Sequence, residues 1–266
     1  MASPATEFVQ VNGGRLACSV RGTGPVVLYA HGLFCSRAVD RQRGLVDFSP
    51  VAEAGCRLVA YDARGHGESG CGRHSGAFGW PALADDLLAL ADHFSPGEPV
   101  SAIGLSMGTG TALHAALKRP ERFRKLVLTA PPTAWDTRAA QVQVYRKLAA
   151  VAASGKVALL EKALAMAPVP PIFANIPRPS PLAAVALQTL PLVLAGAAAS
   201  DLPAPAALRG IRQPTLVLGW DTDPAHPVST SATLAGLLPG AELRVARDIA
   251  EIATWGEQAA AYLGGG

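Results

Sequence analysis

Short β-branched and aliphatic runs alternate with helical patterns from the beginning of the chain: Glu7 to Val11, Arg15 to Val20, Val26 to Ala30, Arg57 to Tyr61, Val100 to Ile103 and Lys125 to Thr129. The first two runs mix apolar and polar positions, as an antiparallel hairpin with one wet face requires. The later ones are apolar almost throughout, as parallel strands covered on both faces are. Thr215 to Leu218 and Leu243 to Ala246 repeat the buried pattern late in the chain. Strands that alternate with helical segments predict an α/β fold: a mostly parallel eight-stranded sheet with an antiparallel start and helices on both faces. Trp80-Pro81 opens one helix, in which Leu83, Leu87, Leu90 and Phe94 recur at three- and four-residue spacing. Pro81 suits a first turn, where its missing N–H costs nothing. Ile252, Trp255, Tyr262 and Leu263 mark a closing amphipathic helix.

The core pattern is interrupted from about Trp135 to about Pro205 by a stretch rich in Ala, Leu and Pro, with helical patterns at Arg138 to Ala153, Val157 to Met166 and Leu182 to Ala197. The expected organisation is a core built from residues 1–134 and 207–266, with residues 135–206 inserted as a helical cap after the sixth strand. Ala167 to Phe173 holds too many prolines for a helix and is expected to form an extended bend.

A chain of 266 residues, half of them hydrophobic, is ample for one buried core and is expected to stay one domain. Its net charge of +3 is spread without any run of Lys or Arg, which removes nucleic acid from the expected partners. The first residues show no basic segment leading into an apolar one, and no stretch of about 18 apolar residues occurs, so a cytoplasmic protein with no membrane partner is expected. Cys18, Cys35, Cys56 and Cys71 lack C-x-x-C spacing and fall in the first third of the chain, which argues for reduced thiols and against a zinc site or disulfide framework. No metal or organic cofactor is expected. The assembly is expected to be a monomer or a homodimer.

The chemistry concentrates in Gly104-Leu105-Ser106-Met107-Gly108, which joins strand-like Val100 to Ile103 to a helical pattern through Thr111, Ala112, Leu113 and Ala115. This is the strand, turn and helix context in which a G-x-S-x-G segment presents a serine hydroxyl as a nucleophile. Glycines flank the serine because side chains there would collide with the neighbouring strand and helix.

Three further segments accompany the serine turn in order: His31-Gly32-Leu33-Phe34, Tyr61 to Ser69 with its Arg64-Gly65-His66-Gly67 turn, and Gly219-Trp220-Asp221-Thr222-Asp223-Pro224. Together they make nearly the whole chain resemble the α/β-hydrolase superfamily, in its small capped esterase, lactonase and haloperoxidase-like branch. The resemblance implies an oxyanion hole made by the backbone N–H groups of Leu33 and Met107. Two such donors stabilise charge developing on a carbonyl oxygen, and losing one typically costs about 3 kcal/mol. It also implies a catalytic acid at Asp223, the carboxylate before Pro224; the plainer reading, in which one of the two carboxylates merely caps the helix near Val228, suits Asp221 better than Asp223. His66 is assigned a structural role, and Asp62 and Arg64 are read as fixing a loop near the site.

The chain departs from the family pattern at the general base. A histidine is expected after the last strand, yet Leu243 to Glu251 contains none and no histidine follows His226. A serine hydroxyl is a weak nucleophile, and a placed base contributes about 10²–10⁴-fold or more. His226, three residues past Asp223, is the tentative base. Asp248 and Glu251 are carboxylate alternatives that would need burial to raise their pKa. His31 and His114 are expected to be structural, and Cys35, just beyond the oxyanion turn, to be a buried inert thiol.

The leading expectation is hydrolysis of a small hydrophobic carboxylic ester or lactone by Ser106, with an atypical or incomplete triad and a cap of mostly apolar side chains favouring a hydrophobic group. The alternative, from a different class, is a catalytically impaired or non-hydrolytic member that binds a ligand or performs lyase or cyclase-type chemistry.

Overall fold

In the computed structural model, which describes residues 5–70, 75–176 and 180–264, the strand pattern closes into one sheet of eight strands, ordered β1-β2-β4-β3-β5-β6-β7-β8. They are β1 (Thr6–Val11), β2 (Gly14–Arg21), β3 (Val26–Ala30), β4 (Arg57–Tyr61), β5 (Val100–Leu105), β6 (Phe123–Thr129), β7 (Thr215–Trp220) and β8 (Glu242–Ala246). β1 pairs antiparallel with β2, and β2 with β4, while the remaining pairs are parallel. Asn12 and Gly13 join β1 to β2 with φ of 43° and 75°, the two-residue turn whose twist matches the strands it connects.

The helices are α1 (Arg37–Arg43), α2 (Ser49–Glu53), α3 (Trp80–Phe94), α4 (Met107–Lys118), α5 (Arg138–Ala153), α6 (Val157–Ala165), α7 (Leu190–Ala198), α8 (Pro205–Leu208), α9 (Val228–Leu237), α10 (Ile249–Ala253) and α11 (Trp255–Gly264). Successive strand residues point to opposite faces, so each central strand feeds two cores. Leu28, Ala102, Leu126, Leu128 and Val217 pack with Leu83, Leu87 and Leu90 of α3 and Leu113 of α4. Their neighbours Val27, Ile103, Val127, Leu216 and Leu218 pack with Val51 of α2 and Trp255, Ala259 and Leu263 of α11. Burial on both faces is what selected apolar residues at consecutive positions. No helix among the described residues is long and apolar enough to cross a membrane.

The segment between β6 and β7 is helical, and α5 is tied to the end of α7 by buried Arg138, which donates to the carbonyls of Ala197 and Ser200. Val193 and Leu194 of α7 pack against Phe78. One sequence expectation requires correction here: the pattern at Leu182 to Ala197 is helical only from Leu190. Pro191 sits in the first turn of α7, and further into a helix its ring would strike the carbonyl four residues back, so the helix cannot extend N-terminally. The preceding residues form a short turn at Pro181–Ala183 and a bridge between Val185 and His66. The proline-rich bend runs into a short 3₁₀ turn at Pro171–Phe173. Cys71 lies outside the described residues; Cys18, Cys35 and Cys56 are free thiols.

Candidate active site

Ser106 stands between β5 and α4 with φ 52° and ψ −107°, a conformation costly for a residue with a side chain and held only when its surroundings determine it. Those surroundings are explicit. The Ser106 N–H donates to the Thr129 carbonyl of β6 at 3.0 Å, and its carbonyl accepts from the Thr109 N–H at 2.9 Å. The Thr109 hydroxyl bonds the carbonyls of Gly104 and Thr129 at 2.9 and 3.1 Å. A Cβ on Gly108 would fall on the Ala30 carbonyl oxygen of β3, and one on Gly104 would fall on the carbonyl oxygen of Gly108. The close approach of strand and helix therefore requires glycine at both positions.

The carboxyl end of β7 supplies the partners. The Ser106 hydroxyl donates to His226 Nε2 at 2.8 Å, and His226 Nδ1–H donates to Asp223 Oδ2 at 2.7 Å. The bond at Nδ1 fixes the tautomer that leaves Nε2 free to accept. Asp223 is fully used: Oδ2 also accepts from Trp220 Nε1–H at 3.1 Å, and Oδ1 from the Ala225 N–H at 2.9 Å. Burial by itself would raise the Asp223 pKa, but the bonds from His226, Ala225 and Trp220 outweigh it and hold the carboxyl below its ordinary value. The Trp220 ring meets His226 edge-on at 5.3 Å and stacks on Trp255 at 5.4 Å, so the imidazole leans on a layer that reaches into the core.

Leu33 follows His31-Gly32 at the end of β3, and Met107 begins α4. Neither N–H donates to another group among the described residues. A cavity of about 250 Å³ adjoins these groups, with Leu33, Ser106, His226 and Trp220 in its walls and Gln141 and Tyr145 reaching in from α5. Phe34, Leu45, Val46 and Leu105 make an apolar part of the remaining lining, and Tyr29, Cys35, Asp40 and Arg43 a polar one. Among the described residues no three His, Cys, Asp or Glu side chains converge as metal ligands would.

The other sequence candidates lie elsewhere. Asp248 caps α10 by accepting the Glu251 N–H at 2.9 Å, and Glu251 accepts the Arg247 N–H; the structure holds neither carboxylate at Ser106. Asp221 bonds the Thr222 N–H at 2.6 Å and does not cap α9, whose capping residue is Pro227. That reading is corrected: six residues, 222–227, separate Asp221 from α9, too far for its carboxylate to serve as the cap. His114 bonds the Asp201 carbonyl. His31 Nδ1 faces the Gly32 carbonyl while its Nε2 accepts the Ala63 N–H at 2.9 Å. His66 is buried, its pKa pulled down to about 3 by that burial and by neighbouring His31. Asp62 accepts the N–H groups of Arg37 and Glu68, and Arg64 pairs with buried Asp86 at 2.6 Å. Cys35 is buried, which pushes its thiol pKa far up.

Sequence reasoning missed Trp220, Gln141, Tyr145 and Arg43 as parts of the site. Trp220 had a readable signal, because a buried tryptophan at a strand end usually places its N–H on an acceptor. The others had none, since their positions depend on how α1 and α5 pack.

Residues 25–256 match the family model described as the alpha/beta hydrolase fold, and the chain belongs to that family. It is 30% identical over 213 residues to the poly(3-hydroxyalkanoate) depolymerase of Ectopseudomonas oleovorans, covering 76% of this chain and 71% of that one. It is 31% identical over 116 residues to an epoxide hydrolase of Caballeronia sordidicola, 44% of this chain and 34% of that protein. The chain thus spans only about a third of the length of that relative. Among solved structures, a hydrolase from Pseudomonas aeruginosa PA01 superimposes with a TM-score of 0.76 at 23% identity over 98% of both chains. A thermophilic esterase from Thermogutta terrifontis gives 0.73 at 22% identity, over 97% of this chain and 96% of that one.

Proposed function

We propose that the chain is a serine hydrolase acting on small, largely apolar carboxylic esters or lactones. The observation that carries this reading is the 2.8 Å contact between Ser106 Oγ and His226 Nε2, with Asp223 2.7 Å behind the imidazole. Ser106 Oγ attacks the carbonyl carbon as its proton passes to His226 Nε2. The tetrahedral oxyanion is held by the N–H groups of Leu33 and Met107, which have no competing acceptor among the described residues. His226 then gives the proton to the departing alkoxide, which in a lactone stays tethered to the acyl group. Water, deprotonated by His226, attacks the acyl-serine carbonyl, and the returning proton restores Ser106. Asp223 keeps the imidazole in the required tautomer and stabilises its charged form.

Residues 135–206 act in this reading as the cap, with Gln141 and Tyr145 closing the cavity above the serine. The non-hydrolytic alternative started from the missing histidine after β8, and an imidazole already hydrogen-bonded to Ser106 removes its motive. The test is turnover of a short-chain 4-nitrophenyl ester by the wild type and Ser106→Ala. Loss of turnover in the variant is expected, and equal rates would overturn the reading.

A further inference from the structure

The cavity beside Ser106 holds one cation. Arg43, at the C-terminal end of α1, is part of its wall together with Cys35, Asp40 and Tyr29. The hydrogen bond of its guanidinium runs from Nη1 to the Cys35 sulfur at 3.5 Å, and a thiol is a weak acceptor. Arg43 takes part in none of the ion pairs formed among the described residues. A half-buried guanidinium with most of its five donors uncommitted, in a cavity wall where it forms no ion pair, is matched best by a carboxylate, which it can hold with two parallel bonds.

Asp40 is the opposing charge on that wall, and its Oδ2 accepts the Tyr29 hydroxyl at 2.8 Å. Behind it, a second cavity of about 340 Å³ shares Tyr29, Asp40 and Val46 with the first and adds Arg21 and Arg41. Neither arginine is ion-paired among the described residues. Asp47, also in that second cavity, is occupied by the backbone N–H and hydroxyl of Ser49. Arg37, the fourth arginine around the two cavities, is paired with Asp62 and Glu68, so Arg43, Arg21 and Arg41 against Asp40 and Asp47 leave this end of the site net positive.

We infer that Arg43 makes the Ser106 cavity select esters or lactones that carry a carboxylate a few methylenes from the scissile carbonyl. The inference rests on the serine-hydrolase reading for its reaction but not for its binding. Monomethyl adipate and methyl hexanoate offer the same six-carbon acyl chain with and without the carboxylate. The wild type is expected to favour the hemiester by about tenfold or more in kcat/KM, the size of a charge-assisted bond. Arg43→Met brings that ratio toward unity and Arg43→Lys keeps part of it. A wild type that prefers the neutral ester, or a ratio unchanged in Arg43→Met, overturns the inference.

Calorimetric titration of Ser106→Ala with monomethyl adipate separates the two claims. Binding that disappears when Arg43→Met is added supports the carboxylate site even if neither ester is turned over, an outcome that would sink only the hydrolase reading. Absence of binding by Ser106→Ala overturns the site itself.

Discussion

Asp223 and His226 are joined twice within one turn: the His226 backbone N–H donates to the Asp223 carbonyl at 3.0 Å, and the two side chains meet at 2.7 Å. The carboxylate and the imidazole therefore reach Ser106 as one preassembled unit. The turn that spaces them at i and i+3 also aims the ring.

Removing the imidazole is expected to stop turnover with little harm to the fold. His226→Ala should lower kcat by about 10²–10⁴-fold or more, while the thermal midpoint shifts by only a few degrees, since the ring is 20% exposed. Glu251→Ala should leave kcat unchanged, because its carboxylate serves the Arg247 N–H. Steady-state kinetics on both variants, with thermal melts alongside, make the comparison.

Trp220→Phe keeps an aromatic ring against Trp255 but deletes the N–H bonded to Asp223. About a tenfold fall in kcat with KM nearly unchanged is expected, the scale of one hydrogen bond to a charged group. A variant whose loss appears only in KM would assign Trp220 to substrate binding.

Gly108 and Gly236 should respond to alanine in opposite directions. Gly108→Ala, which forces a methyl onto the Ala30 carbonyl, should cost about 3 kcal/mol or more. Gly236→Ala lies in α9 with nothing near the added carbon and should stabilise by roughly 0.5–1 kcal/mol through helix propensity. Urea titrations report both.

Acid should weaken the fold through His66. Its native pKa of about 3 lies below the ordinary 6.5, so between those values the unfolded chain binds a proton that the native chain refuses. Stability is then complete above about pH 6.5 and falls as the pH drops toward 3, by up to about 1.4 kcal/mol per pH unit. His114, whose pKa is also lowered, chiefly by burial, adds in the same direction. His66→Phe should flatten the slope of unfolding free energy against pH by about one proton; an unchanged slope would show that His66 is not the source.

The strands and the serine turn were legible because each is written locally: apolar runs for two-sided burial, and Gly104 and Gly108 where backbone meets backbone. His226 was legible only as one option among several. Its spacing from Asp223 is local, but the alternative, an ordinary loop before α9, has the same letters. The first half of the Leu182 to Ala197 pattern misled, since apolar periodicity outweighed the barrier set by Pro191. Arg43 and Tyr145 reach the cavity only through the packing of α1 and α5, so no pattern in their own segments marks them.

In the proposed mechanism the proton-handling pair sits wholly on the β7 side, and β8 at the border of the sheet takes no share of the chemistry. Transient fraying of that border, the kind of opening that exchange of its amide protons would report, should leave the hydrolytic machinery assembled.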